Sequence, residues 1–203
     1  MLAKSTRHDG SATAYTVSEK SRKGLTVLIT FRFRYPISRT MAFEREYHPN
    51  LRLTLSEKRH LLKNAIAIWM LDRGKLVGET YGLALDDRFG EIPAGCPRDP
   101  RSIYCYSTTI LGGYQHKGFG RILKAAFIGR VARDFHRIYG HARPGASQAL
   151  NQSFGARLGP TCKNWHDTGE DYRLYALPCT GKTGLTLSQP RCSFRFITLP
   201  KVS

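Results

Sequence analysis

Acidic residues are scarce in this chain. Fifteen Asp and Glu stand against 32 Lys and Arg over 203 residues, a formal charge of +17. Such a field gathers anions such as a polyphosphate ligand, a nucleic acid or an acidic protein. A polycationic partner would be repelled at long range. Cysteines are few as well: Cys96, Cys105, Cys162, Cys179 and Cys192 are odd in number, scattered, and form no Cys-x-x-Cys pair. That spacing argues against a zinc site and a disulfide framework, predicts no metal, and points to reduced thiols in a cytoplasmic setting. No apolar run reaches the roughly 18 residues of a membrane span. The first residues, Met1-Leu2-Ala3-Lys4-Ser5, lack the apolar stretch of a secretory leader. There is no internal repeat, and no long Pro/Gly/Ser linker divides the chain. One domain is therefore expected over residues 25–178, with a flexible basic segment at 1–24 and a basic extension at 179–203.

Strand-like runs dominate what is present. Residues 25–33 are rich in β-branched and aromatic side chains, and Pro36 closes them. Residues 38–47 suit a short helix that ends before Pro49. Thr54-Leu-Ser-Glu57 has capping-box spacing and opens a predicted helix to about residue 64. Residues 65–71 and 76–85 flank Asp72-Arg73-Gly74-Lys75 and read as a hairpin, Gly74 supplying the positive φ of a tight turn. Residues 86–102 hold three prolines and two glycines and read as a loop. A strand over 103–111 leads to a glycine-rich turn, Gly112 to Gly120. Ile122, Leu123, Ala126, Phe127, Val131 and Phe135 then recur at helical spacing. Beyond them the pattern predicts a strand at 138–142 and a helix over 147–158 with Gly159 as its C′ residue. Two more short strands follow, near 162–165 and 172–177.

Strand, glycine-rich turn and amphipathic helix together make a phosphate cradle. Turn amides converge on one point, and the helix N-terminus adds partial positive charge. Gly118 and Gly120 let the main chain approach an anion, while Lys117, Arg121 and Lys124 flank it with charge. The turn is not a Walker A sequence, which occurs nowhere in the chain; Thr180-Gly-Lys-Thr-Gly184 lacks the upstream glycine. It is not a dinucleotide fingerprint either, because Leu123 stands where the third small residue belongs.

Gln115-His116-Lys117-Gly118-Phe119-Gly120, entered through Ile110-Leu-Gly-Gly-Tyr114, resembles the Gln/Arg-x-x-Gly-x-Gly/Ala hallmark of the GNAT N-acetyltransferase superfamily. Phe154-Gly-Ala-Arg-Leu-Gly159 resembles that family's helix ending in a Leu-Gly pair, and the order of elements agrees from about residue 25 to 177. The resemblance implies a single α/β (α+β) domain, with a mostly antiparallel twisted sheet of six to seven strands flanked by helices. It implies that residues 115–121 hold the pyrophosphate of acetyl-CoA. Strands 103–111 and 138–142 would splay to admit the pantetheine arm, beside the backbone of Ile110 and Leu111 and the side chain of Asn151 or Gln148.

Many relatives place a Glu on the strand before the cradle, yet 103–111 contains no acid; Tyr104 and Tyr106 stand there instead. Glu79, on the preceding strand, is the nearest carboxylate, and His141, on a strand expected to line the cleft, is a second candidate base. The family's Tyr acid, four residues before the Gly of the Leu-Gly pair, is replaced by Gly155. Tyr139, Tyr172 and Tyr175 are alternative acids. Two functions follow. One is direct acetyl transfer from acetyl-CoA to an amine; the other is a GNAT-shaped module whose basic surface contacts nucleic acid or a protein partner.

Overall fold

The computed structural model describes residues 15–20, 26–32, 34–86 and 90–179, the first two segments as backbone alone. Eight strands form one sheet: β1 (Tyr15–Lys20), β2 (Thr26–Arg32), β3 (Ile66–Asp72), β4 (Lys75–Leu85), β5 (Asp99–Ile110), β6 (Arg137–Ala142), β7 (Arg157–Cys162) and β8 (Tyr172–Pro178). Their spatial order is β1-β2-β3-β4-β5-β6-β8-β7, and every pair is antiparallel except β5–β6. The architecture is the expected mixed α/β sheet, with one strand more than anticipated. The extra strand is β1, whose polar sequence carries no alternation strong enough to mark it. Residues 180–203 lie outside the described part.

Alternation along the central strands sorts side chains to two faces. Ile68, Met70, Val77, Ile103 and Cys105 pack with Leu123, Phe127, Ile128 and Val131 of α3 (Phe119–Val131). The other face carries Ala67, Trp69, Leu71 and Tyr81, covered by Leu61 and Leu62 of α2 (Leu55–Lys63). Each large side chain removed from water on either face contributes roughly 1.5–3 kcal/mol. The capping box that opens α2 forms as predicted: Glu57 N–H donates to Thr54 Oγ1, and Thr54 N–H donates to Glu57 Oε2 at 2.7 Å. At the β3–β4 turn Arg73 and Gly74 both have positive φ, 47° and 84°. Residues 38–47 form only one α-helical turn, α1 (Ile37–Thr40), before tightening into a 3₁₀ stretch, Met41–Glu46.

Several element bounds depart from the sequence expectation. Helix α4 (Ala146–Gln152) is shorter than the predicted 147–158. Gly155, at φ 87°, takes the left-handed turn assigned to Gly159, and residues from Arg157 onward belong to β7. The strand expected near 162–165 correspondingly lies earlier and ends at Cys162, and Trp165–Asp167 is a 3₁₀ turn. β5 also starts earlier than expected, inside the supposed 86–102 loop, at Asp99.

The parallel pair opens like a fork. β6 meets β5 only over Ser102–Arg137, Ile103–Ile138 and Tyr104–Tyr139, and the two strands then part. Where they part, β5 slips register against β4: Tyr81 faces Ser107 and Gly82 faces Cys105, leaving Tyr106 as an extra residue. Such a bulge bends and twists its strand, here at the point of divergence. Gly82 permits the close approach, since a Cβ there would lie 2.6 Å from the Tyr104 carbonyl oxygen.

Candidate acyl-donor site

The cradle is a short, heavily braced turn. Gln115 Nε2 donates to Ile110 O at 2.9 Å and to Glu46 Oε2 at 3.0 Å, while Glu46 Oε1 accepts from Gly112 N–H at 3.1 Å. Glu46, from the 3₁₀ stretch, is thus a brace that the sequence does not announce. Gln115 is spent on the same bracing rather than aimed at an anion. Lys117 Nζ donates to Gly113 O at 2.7 Å, so its charge stays beside the turn. Gly118 caps α3 in the left-handed region, φ 84°, and its carbonyl accepts from the amides of Arg121 and Ile122. No side chain caps this helix. The amides of Phe119 and Gly120, first in the helix, therefore have no partner within it, and Gly118 and Gly120 line the cleft. His116, also at positive φ (58°), and Arg121 are exposed beside them.

An open cleft of about 1620 Å³ runs from these amides through the strand fork to the opposite face of the sheet. Asn151 lies along it, 4% exposed; its Nδ2 donates to Ser147 O at 2.9 Å, and its Oδ1 is buried without a hydrogen-bond partner. Gln148, the other amide considered, donates instead to Ala142 O at 3.2 Å. The backbone contacts expected of Ile110 and Leu111 are partly pre-empted. Leu111 N–H donates to Val77 O, its carbonyl accepts from Tyr114 N–H, and Ile110 O holds Gln115.

His141 stands on β6 at the far end of the cleft. Its Nδ1 is 2.9 Å from Tyr104 Oη, its ring stacks on Trp165 with centroids 3.9 Å apart, and its Nε2 is buried with no partner. Burial pushes its pKa down to about 4, partly offset by the backbone at Ala94, so the ring is neutral at pH 7. Tyr106, 43% exposed, is edge-on to Tyr104. Tyr47 hydrogen-bonds Ser107 and Thr109 and closes the adjoining wall.

Tyr175 sits on β8, 3% exposed, with its hydroxyl receiving Lys124 Nζ at 3.1 Å. It packs on Gly140, where a Cβ would come within 2.6 Å of that hydroxyl. Because Tyr175 pairs with Gly140 and Leu174 with His141, the phenol and the imidazole approach the fork from opposite faces of the sheet. Lys124 is not at the phosphate cradle; it is 1% exposed and reaches under the fork.

Glu79 does not join this group. Its carboxylate is fully buried on the α2 face, 2.7 Å from Lys58 Nζ, which also holds Glu44 at 2.8 Å. The side chain does not line the cleft. Burial raises its pKa to about 7 against the pull of Lys58. The expectation of Glu79 as base fails because α2 delivers a lysine to it and closes that face.

Among the described residues, no cluster of three His, Cys, Asp or Glu is placed to hold a metal ion, and no helix is long and apolar enough to cross a membrane.

This architecture is the GNAT N-acetyltransferase fold. The ribosomal-protein-S18-alanine N-acetyltransferase of Escherichia coli superposes with a TM-score of 0.58 at 16% identity, over 74% of this chain and 94% of that one. The ribosomal-protein-alanine N-acetyltransferase of Brucella melitensis gives 0.57 at 17% identity, over 73% and 98%. The GphF GNAT-like decarboxylase, solved with isobutyryl-CoA, gives 0.58 at 14% identity, over 73% and 98%. No family model and no curated protein sequence matches the chain.

Proposed function

We propose that this chain is an acyltransferase that takes an acetyl group from acetyl-CoA and delivers it directly to an amine. The observation that carries the reading is a single cleft joining three elements: unsatisfied helix-start amides, the buried unpartnered Oδ1 of Asn151, and the neutral imidazole of His141. Each matches a part of the donor or of the chemistry. The amides of Phe119 and Gly120, with His116, Lys117 and Arg121 beside them, suit the pyrophosphate. Asn151 Oδ1 suits an amide N–H of the pantetheine arm. The edge of β5 beyond Tyr104, which β6 leaves unpaired, gives that arm a strand to lie against.

His141 Nε2 is the base. With Nδ1–H donating to Tyr104 Oη, Nε2 carries a lone pair and accepts a proton from the attacking amine. Positioning of donor and amine in one cleft supplies much of the remaining rate. The formal charge of +17 favours an acceptor carried on an acidic protein or a nucleic acid over a cationic one.

Calorimetric titration with acetyl-CoA tests the donor, beside a Gly120→Asp variant. A Cβ at Gly120 meets nothing closer than 3.9 Å, so the backbone tolerates the side chain while its carboxylate repels phosphates. Micromolar binding lost in the variant is the expected result. A folded wild-type protein that binds no acetyl-CoA would refute the proposal.

A further inference from the structure

Among the described residues two lysines are almost wholly buried, and they are treated in opposite ways. Lys58 is neutralised by Glu44 and Glu79 at 2.8 and 2.7 Å. Lys124, 1% exposed, has no carboxylate partner among the described residues. A buried ammonium without a counter-ion is costly to keep, and lysines in such positions recur where a negative charge arrives or forms.

The surroundings of Lys124 are arranged to leave one donor for that purpose. Its Nζ donates to Tyr175 Oη at 3.1 Å and to Cys105 Sγ at 3.5 Å, while the Cys105 thiol itself donates to Ser107 O at 3.3 Å. An ammonium has three N–H bonds, and two are accounted for. The rings of Phe127 and Tyr175 stand over the charge at 5.9 and 5.2 Å. The titratable groups that contact it or act on it are Cys105 from β5, Tyr175 from β8 and Cys179 just beyond; none is a carboxylic acid. Cys105, Lys124 and Tyr175 line the same cleft as Asn151 and His141, at the fork where β5 and β6 part.

We infer that Lys124 is a catalytic residue that receives the departing coenzyme thiolate, taking over the task that Gly155 leaves without a side chain. This rests on the acetyl-CoA reading given above. The amine nitrogen attacks the thioester carbonyl and a C–N bond forms. The C–S bond breaks with its electron pair on sulfur, and the Lys124 ammonium stabilises the thiolate until solvent protonates it. The amine's proton goes to His141 Nε2 and from there to solvent, which supplies the proton that sulfur takes up, so the sum is amide plus free CoA thiol. Tyr175 acts as a positioning residue, fixing the ammonium at the fork. Burial raises the Tyr175 pKa well above its ordinary value, so it stays a neutral phenol throughout.

The test needs no acceptor. CoA and desulfo-CoA are bound separately to the full chain, and the ultraviolet thiolate signal of the bound thiol is taken from their difference as pH is varied. In the wild type the bound thiol titrates about one to three pH units below free CoA, as a nearby cation requires. In Lys124→Met, which keeps volume and removes charge, it titrates at or above free CoA. Arg121→Gln weakens binding but keeps the depressed titration. Equal titration in wild type and Lys124→Met overturns the assignment while leaving the donor site standing. If Lys124→Met does not fold, a wild-type thiol titrating at or above that of free CoA overturns it alone. Failure of the wild type to bind either ligand overturns the acetyl-CoA reading itself, and this inference with it.

Discussion

Tyr104 Oη lies 2.9 Å from His141 Nδ1, joining β5 and β6 just where the two strands stop pairing. The contact selects the imidazole tautomer when the phenol accepts from Nδ1–H. Tyr104→Phe removes that selection, whereas His141→Gln removes the base. Turnover in an acetyl-transfer assay should fall roughly 10²–10⁴-fold in His141→Gln and less in Tyr104→Phe, with acetyl-CoA affinity little changed in both. Wild-type levels of turnover in His141→Gln would remove it from the mechanism.

The same histidine makes stability depend on pH. Its ordinary pKa is 6.5 and its folded value is about 4. Between those values the unfolded chain binds a proton that the folded chain does not, so this contribution rises with pH and is lost as pH falls from 6.5 towards 4. Urea unfolding midpoints over that window should depend less on pH in His141→Gln than in the wild type. Parallel curves for the two proteins would argue against a buried neutral ring.

Lys58, Glu44 and Glu79 form a buried charge group that does not line the cleft. Lys58→Ala strands two carboxylates and should cost about 3–5 kcal/mol of stability by denaturant titration. Glu79→Gln should leave the relative turnover of the remaining folded protein near that of wild type. A large turnover defect without instability would return Glu79 to the catalytic group.

Gly155 stands where the GNAT resemblance leads one to expect a tyrosine, and its backbone lies in the left-handed region, φ 87°. Gly155→Tyr should therefore lose about 1–2 kcal/mol of stability from left-handed strain and gain no turnover. A faster, equally stable variant would contradict this account of the missing acid.

The central strands, the capping box of Thr54 and Glu57, the tight turn at Gly74 and the cradle were legible in the sequence, because each rests on local periodicity or on one residue's backbone preference. The end of α4 was not: Gly155 and Gly159 are both able to stop a helix, and only packing of residues from Arg157 onward against β8 decides between them. Site residues divided along the same line. The position of His141 beside the cleft followed from its strand, but Glu79 lies away from the cleft lining because Lys58, on another element, closes over it, which nothing local reveals. Lys124 looked like one more cation beside the cradle. Its reach beneath the fork depends on the separation of β5 from β6, a tertiary property. Glu46 left no signal at all, since its partners are 66 and 69 residues away.

The most direct test of the account is to locate acetyl-CoA by its effect on the nuclear magnetic resonance spectrum of ¹⁵N-labelled protein. The amides of Gly118, Phe119 and Gly120 and the side-chain amide of Asn151 should shift together on titration, with His141 responding from the far end of the cleft. Trp69 and the residues around Lys58 should stay still. Binding that moves the Trp69 face and leaves the Gly118–Gly120 amides unchanged would contradict the placement of the donor site.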